Sequence, residues 1–153
     1  MGNESQFDIS VQSEMTSLAH CPSAYAVYDY THFNICLRYI SISANYTEAV
    51  SRCQQDGGDL VRIDSFQKYD IFKGHIGHYA ADDSSQIWVQ GVEINDQWIF
   101  HDRTLMPVIC PLFESNISGK IHLTSYVYHN FSCFDSSPSS EHHYVCEIYR
   151  VFP

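Results

Sequence analysis

Six cysteines constrain this 153-residue chain more than any other feature. Cys21, Cys36, Cys53, Cys110, Cys133 and Cys146 form an even set with no C-x-x-C pair. That pattern argues against zinc ribbons and dithiol redox sites and for three disulfides. Disulfides persist in oxidising compartments. An independent signal agrees: four of the six asparagines, Asn3, Asn45, Asn116 and Asn130, head N-x-S/T triplets. Such triplets are glycosylation acceptors of the secretory pathway. Both features point outside the cell, to a secreted protein or the ectodomain of a membrane protein.

Charge narrows the partners. Eight Lys and Arg against eighteen Asp and Glu give a net charge of −10, and no basic run offers a local exception. Nucleic acids and anionic membranes are therefore not the expected partners. No stretch approaches the roughly 20 apolar residues of a membrane span. With 44% hydrophobic residues the chain is globular, and its length suits one domain. Met1-Gly2-Asn3-Glu4-Ser5 carries no basic region and no apolar run follows it, so the chain reads as a mature or trimmed ectodomain.

The organisation follows from the patterns. Residues 1–20 are polar and weakly periodic and read as a flexible arm, with a loose strand around Phe7 and Ile9; residues 21–150 form the domain and 151–153 a tail. Ala24–Tyr28 and Phe33–Ile40 alternate around a turn at 29–32 and read as a hairpin, which a Cys21–Cys36 bridge would clamp. Asn45 caps a helix whose Tyr46, Ala49, Val50 and Cys53 make one buried stripe, ended by Gly57-Gly58. Leu60–Ile63 is a short strand. A second helix, capped by Asp64 or Ser65, carries Phe66, Tyr69, Ile71 and Phe72 and closes at Lys73-Gly74. A loop over 77–86 leads to strands at Ile87–Val89 and Gln97–Phe100, joined by a turn at Asn95-Asp96. Pro107 and Pro111 mark an irregular loop through 101–119. Strands at Ile121–Thr124 and Tyr144–Tyr149 complete an α+β reading.

These residues together resemble the C-type lectin-like domains. The resemblance is carried by Cys21-Pro22, Cys36, the helix Tyr46–Cys53, Gly57-Gly58-Asp59-Leu60-Val61-Arg62-Ile63, Trp88-Val89-Gln90-Gly91-Val92, Trp98-Ile99-Phe100-His101-Asp102 and Tyr144-Val145-Cys146-Glu147, in order from 21 to about 150. It implies two helices, two small antiparallel sheets, a long irregular loop and three disulfides. The implied pairs are Cys21–Cys36 and Cys53–Cys146, with Cys110–Cys133 remaining. Cys110 departs from the pattern, since the family's cysteine would fall near Ile121.

Sugar-binding members hold calcium in the long loop. Calcium takes six to eight oxygens, several from carboxylates. The nearest match to the family's triplet is Glu114-Ser115-Asn116, where serine replaces a proline whose preceding bond is cis; without proline that bond costs about 2.5–4 kcal/mol. The next acidic position falls at Gly119-Lys120, and the last Asn-Asp pair aligns with His129-Asn130. Glycans on Asn116 or Asn130 would cover what remains. The expectation is a dead calcium site, no metal and no cofactor.

Trp88 and Trp98 read as core, His75 and His78 as exposed loop histidines, His142-His143 as solvated surface and Asp82-Asp83 as a solvated loop tip. No G-x-S-x-G, H-E-x-x-H or phosphate loop supports catalysis, so the chain is not expected to be an enzyme. The expected function is calcium-independent recognition of a protein or glycoprotein partner through residues 101–120 and 126–142. Glu114, Asn116, Phe113, Tyr126, Tyr128 and His129 are the candidate ligand-binding residues, with Phe131 as a further aromatic anchor. The main rival is a carbohydrate-binding lectin that uses a calcium site rebuilt around Glu114 and Asn116, or a metal-free glycan site. A third reading, an acidic mineral-associated protein, is opposed by the dispersal of the carboxylates.

Overall fold

A computed structural model describes residues 21–83 and 85–152. The expected N-terminal arm, Asn3 and the end of the tail lie outside them. The hairpin forms as β1 (Ala26–Asp29) and β2 (Phe33–Ala44), paired antiparallel. Helix α1 (Tyr46–Gln55) starts at a full capping box. The Asn45 side chain accepts from the Glu48 backbone N–H, and the Glu48 carboxylate accepts from the Asn45 N–H. Gly57 ends it at φ +87°. Gly58 matters for a close approach instead. A Cβ there would sit 2.1 Å from the Glu147 carbonyl, so only glycine lets the chain pass this near to the last strand. It leads into β3 (Asp59–Leu60).

Helix α2 (Phe66–Tyr79), capped by Ser65, runs well past the expected stop at Gly74. Gly74 and Gly77 lie on its solvent side, where a Cβ would meet nothing, while His75 and Ile76 are buried. Interior glycines cost about 1 kcal/mol each, and burial of the opposite face outweighs them. Phe66 is exposed and is not part of the expected stripe.

Strands β4 (Gln86–Ile94) and β5 (Gln97–Ile99) flank Asn95-Asp96, both in the left-handed region, a two-residue hairpin turn. There follow β6 (Leu112–Phe113), β7 (His122–Tyr126), a 3-10 turn (Val127–His129), β8 (Ser132–Ser136) and β9 (His142–Val151). The strand order is β1-β2-β9-β4-β7-β8-β6, with β3 on β9 and β5 on β4. Two antiparallel groups are present, as expected, but they are fused. A short parallel contact, Ile87↔His143 and Trp88↔Tyr144, joins β4 to β9, and β6 also lies parallel to β8.

Two apolar clusters fill the interior. One gathers Ile35, Leu37, Phe72, Ile76, Ile87, Val89, Leu123 and Val145 under α2; the other surrounds Trp88, Tyr46, Leu60 and Tyr144 under α1. All three implied disulfides are present: Cys21–Cys36, Cys53–Cys146 and Cys110–Cys133. The first clamps the hairpin, the second ties α1 to β9, and the third fastens the long loop to β8. Lys68 and Glu147 are a buried ion pair at 2.9 Å. Burial pushes the Glu147 carboxyl up, against the pull of Lys68.

Candidate functional site in the long loop

The stretch between β5 and β7 is anchored at several points. Arg62 stacks over Phe100 at 4.2 Å and donates to Asp64 at 2.9 Å, Asp102 at 2.7 Å and Thr104 at 3.1 Å. Hydrogen bonds from Thr104 and Arg62 hold Asp102 well below the usual carboxylate range. The Met106 N–H donates to the Trp98 carbonyl, and the Cys133 N–H to the Pro111 carbonyl at 2.7 Å beside the disulfide. The Ser115 N–H and hydroxyl donate to Asp135 at 3.0 and 2.8 Å. A loop so pinned presents its side chains in fixed places.

Four candidate residues come together around one that sequence reading did not single out, Phe134. Phe113 stacks on it with centroids 5.3 Å apart, His129 and Tyr126 meet it edge-on at 5.2 and 5.6 Å, and Tyr128 flanks Tyr126 at 6.2 Å. This shelf is partly open, with Phe113 and Tyr128 exposed. Phe131 does not join it. Half-buried, it packs edge-on against Phe72 of α2 at 6.1 Å, so it is a core contact rather than a surface anchor.

Glu114 and Asn116 lie elsewhere. With Glu93, Asp96, Ile117, Ser118 and Asp135 they line a cavity of about 360 Å³. Alternation along β8 separates the two features, because Phe134 and Asp135 point to opposite faces. The Trp98 indole N–H donates to Glu114 at 2.7 Å. Partial burial, and then the Glu114 carboxylate together with Asp96 and Asp135, push Glu93 up. Beyond Trp98 a second, apolar groove of about 230 Å³ is lined by Leu105, Met106, Val108 and Leu112. Glu93, Asp135, Leu105 and Val108 carried no motif in the sequence, and Asp96 only a turn; the pairing of β4 with β7 and of β7 with β8 brings the three carboxylates together.

The fold family implies calcium, and the residues do not fit it. Of the positions that the resemblance aligns with calcium-binding carboxylates only Glu114 carries one; Lys120 and Asn130 stand at the others. His129 serves as an aromatic packing partner of Phe113 and Phe134. Among the described residues no three His, Cys, Asp or Glu side chains converge as a metal site.

Several polar residues away from the loop differ from expectation. His75 is in α2 and 2% exposed, with Nδ1 2.7 Å from the Tyr28 hydroxyl, and burial and then neighbouring His78 lower its pKa to about 4. His78, as expected, is exposed, though on the helix. Asp83 is no solvated tip: it accepts from Tyr39 and Ser85 and lies 3.1 Å from His143 Nδ1, and these hydrogen bonds lower its pKa to about 2 against the opposing effect of burial. His142 packs edge-on against Trp88 at 4.6 Å and is half-buried, as is His143. Asp59, His101 and Tyr46 form a chain, with 2.7 Å from carboxylate to Nδ1 and 2.6 Å from Nε2 to the phenol. Trp88 and Trp98 are buried, as expected. Asn45 uses its side-chain oxygen as the helix cap, and Asn116 and Asn130 are exposed in left-handed conformations. No helix among the described residues is long and apolar enough to cross a membrane.

No protein-family model matches the chain, and no curated protein does. Solved structures do. Human lithostathine superposes with a TM-score of 0.71 at 16% identity, over 87% of this chain and 93% of that one. The C-type lectin domain of murine dendritic cell inhibitory receptor 2, solved in complex with N-glycan, gives 0.68 at 18% identity over 84% and 98%. The Ca2+-independent C-type lectin SPL-2 from Saxidomus purpuratus gives 0.68 at 16% identity over 84% and 93%. At such identities the likeness is one of architecture, and it agrees with the helices, the sheet, the disulfides and the pinned loop: this chain has the C-type lectin-like fold, in a divergent form.

Proposed function

We propose that the chain is a non-enzymatic, extracellular recognition module that binds a protein or glycoprotein partner through its long loop without calcium. The observation that carries this reading is the apolar surface that the pinned loop exposes. Val108 is 83%, Tyr128 78%, Leu105 63%, Ile117 56% and Phe113 47% exposed. Leu105 and Val108 share the apolar groove on a loop held by a disulfide and by Arg62, Phe113 and Tyr128 belong to the aromatic shelf, and apolar side chains exposed in such numbers mark an interaction site more than a solvated turn. Calcium independence rests on the donor set: among the described residues no three His, Cys, Asp or Glu side chains converge as a metal site, and Lys120 and Asn130 stand where the resemblance expects carboxylates. The absence of catalysis rests on chemistry: the Asp59-His101-Tyr46 chain engages both ring nitrogens of His101 and ends on a phenol that is 2% exposed and whose pKa burial raises, so it offers a substrate neither a free base nor a nucleophile. Three disulfides support an oxidising, extracellular setting, in which the triplets at Asn45, Asn116 and Asn130 are glycosylation acceptors.

A second reading, glycan binding, is favoured by two observations. The aromatic shelf offers ring faces for stacking on a sugar, and the cavity at Glu93, Glu114 and Asn116 offers oxygens for sugar hydroxyls. Binding of the natively glycosylated protein to a broad glycan array and to a panel of cell surfaces, in calcium and in EDTA, separates the two. The protein-partner reading expects a blank array and cell binding that survives EDTA. Array signals that persist in EDTA support a metal-free glycan site, and signals lost in EDTA a working calcium lectin.

A further inference from the structure

We propose, building on the long-loop reading, that the partner segment seated there presents an aliphatic or aromatic side chain next to a lysine or arginine. Two adjoining features set this chemistry. The groove at Trp98, Leu105, Met106, Val108 and Leu112 is almost wholly apolar, and Leu105 and Val108 stand open on its rim. The neighbouring cavity carries four carboxylates, Glu93, Asp96, Glu114 and Asp135. The two share a wall: Trp98 lines the groove while its indole N–H holds Glu114 at the cavity. A residue in the groove and its neighbour in the cavity are thus read by a single docking event.

The charge asks for a cation from outside. Among the described residues no Lys, Arg or His forms an ion pair with any of these four carboxylates. Four carboxylates lining one cavity repel one another, so an incoming ammonium or guanidinium relieves a repulsion already present. The whole chain, at −10, adds a steering field for a basic partner. The groove contributes affinity through apolar burial, and the cavity contributes on-rate and selectivity.

Random peptides displayed on phage are selected in EDTA, so that no metal substitutes for the cation, on protein carrying Ser118→Ala, which removes the Asn116 triplet and keeps a glycan out of the cavity that Asn116 lines. The enriched peptides are then titrated against two variants, Glu93→Gln/Asp96→Asn/Glu114→Gln and Val108→Asp. The triple variant leaves Asp135 to hold Ser115, and the amide oxygen in E114Q still accepts from Trp98. The inference expects enrichment of sequences with an apolar residue beside Lys or Arg. It also expects binding about tenfold weaker in the triple variant and steeply salt-dependent in the parent, and binding lost in V108D. Enrichment of peptides without basic residues, equal binding by the triple variant, or no enrichment overturns it. If cell-surface binding falls in V108D yet is untouched in the triple variant, long-loop recognition stands and this inference alone fails.

Discussion

The region built on β2, β9 and the two helices and the region built on the long loop solve opposite problems. The first takes polar groups inside and gives them partners: Lys68 meets Glu147, His75 meets Tyr28, and Asp83 receives Tyr39 and Ser85. The second takes apolar groups outside and leaves them open to water, at Val108, Leu105, Ile117 and, in part, Phe113. The contrast teaches where stability and function sit. Changes in the first region should cost folding free energy and leave recognition intact in whatever protein still folds. Changes on the loop rim should do the reverse.

The largest effect expected on this division is loss of the Cys53–Cys146 bridge. It spans a sequence separation of 93, against 23 for Cys110–Cys133, and chain-entropy reasoning gives about 4–5 kcal/mol for the longer loop and about 3 kcal/mol for the shorter. Denaturant titration of C53A/C146A and C110A/C133A should reproduce that order. Only C110A/C133A should also lose partner binding under conditions where it is folded, because it frees the loop from β8. Equal binding by both variants would break the comparison.

Lys68→Met is next. It leaves the Glu147 carboxyl buried without its cation, a change that costs about 3–5 kcal/mol where such pairs are cut. Adding Glu147→Leu should recover much of that loss. If the double variant is no more stable than the single one, the pair is not the unit it looks to be in the structure.

Acid sharpens the same contrast. His75 and His122 are held near pKa 4 by burial, with His78 and His101 respectively adding repulsion. The unfolded chain binds their protons first, near pH 6.5, so stability is full above that value and falls as pH drops toward 4. His75, 2% exposed, accounts for up to about 3 kcal/mol of this. Stability measured from pH 7.5 to 4 should decline, and H75Q should flatten the slope. A flat wild-type profile would contradict the buried, neutral histidine.

Much of the first region was legible in the chain and much of the second was not. Asn45, Gly57 and Asn95-Asp96 have local consequences, and the structure shows the cap, the helix end and the hairpin turn where those residues stand. Disulfide pairing came from resemblance alone and holds. The extent of α2 was hidden because Gly74 and Gly77 look like a stop until one knows that they face solvent while His75 and Ile76 face the core. Strand β8 was hidden because Ser132-Cys133-Phe134-Asp135-Ser136 has no apolar alternation; its place depends on pairing with β7 and on the disulfide. Without β8 the partners of Phe113 and Glu114 could not be foreseen. Phe134 and Asp135 sort the candidate residues onto an aromatic face and an acidic one. Asp83, a bare acidic pair in sequence, gains its role only when Tyr39 and His143, distant in the chain, arrive beside it.

The smallest expected effect on stability carries the largest on recognition. Leu105→Ser/Val108→Asp removes rim groups that already stand in water, so unfolding free energy should change by no more than about 0.5 kcal/mol. Binding of the glycosylated wild-type protein and of this variant to a panel of cell surfaces, each in calcium and in EDTA, tests the central claim most directly. The account predicts wild-type binding that is the same in both buffers and absent in the variant. Binding that vanishes in EDTA, or that the variant retains in full, would contradict it.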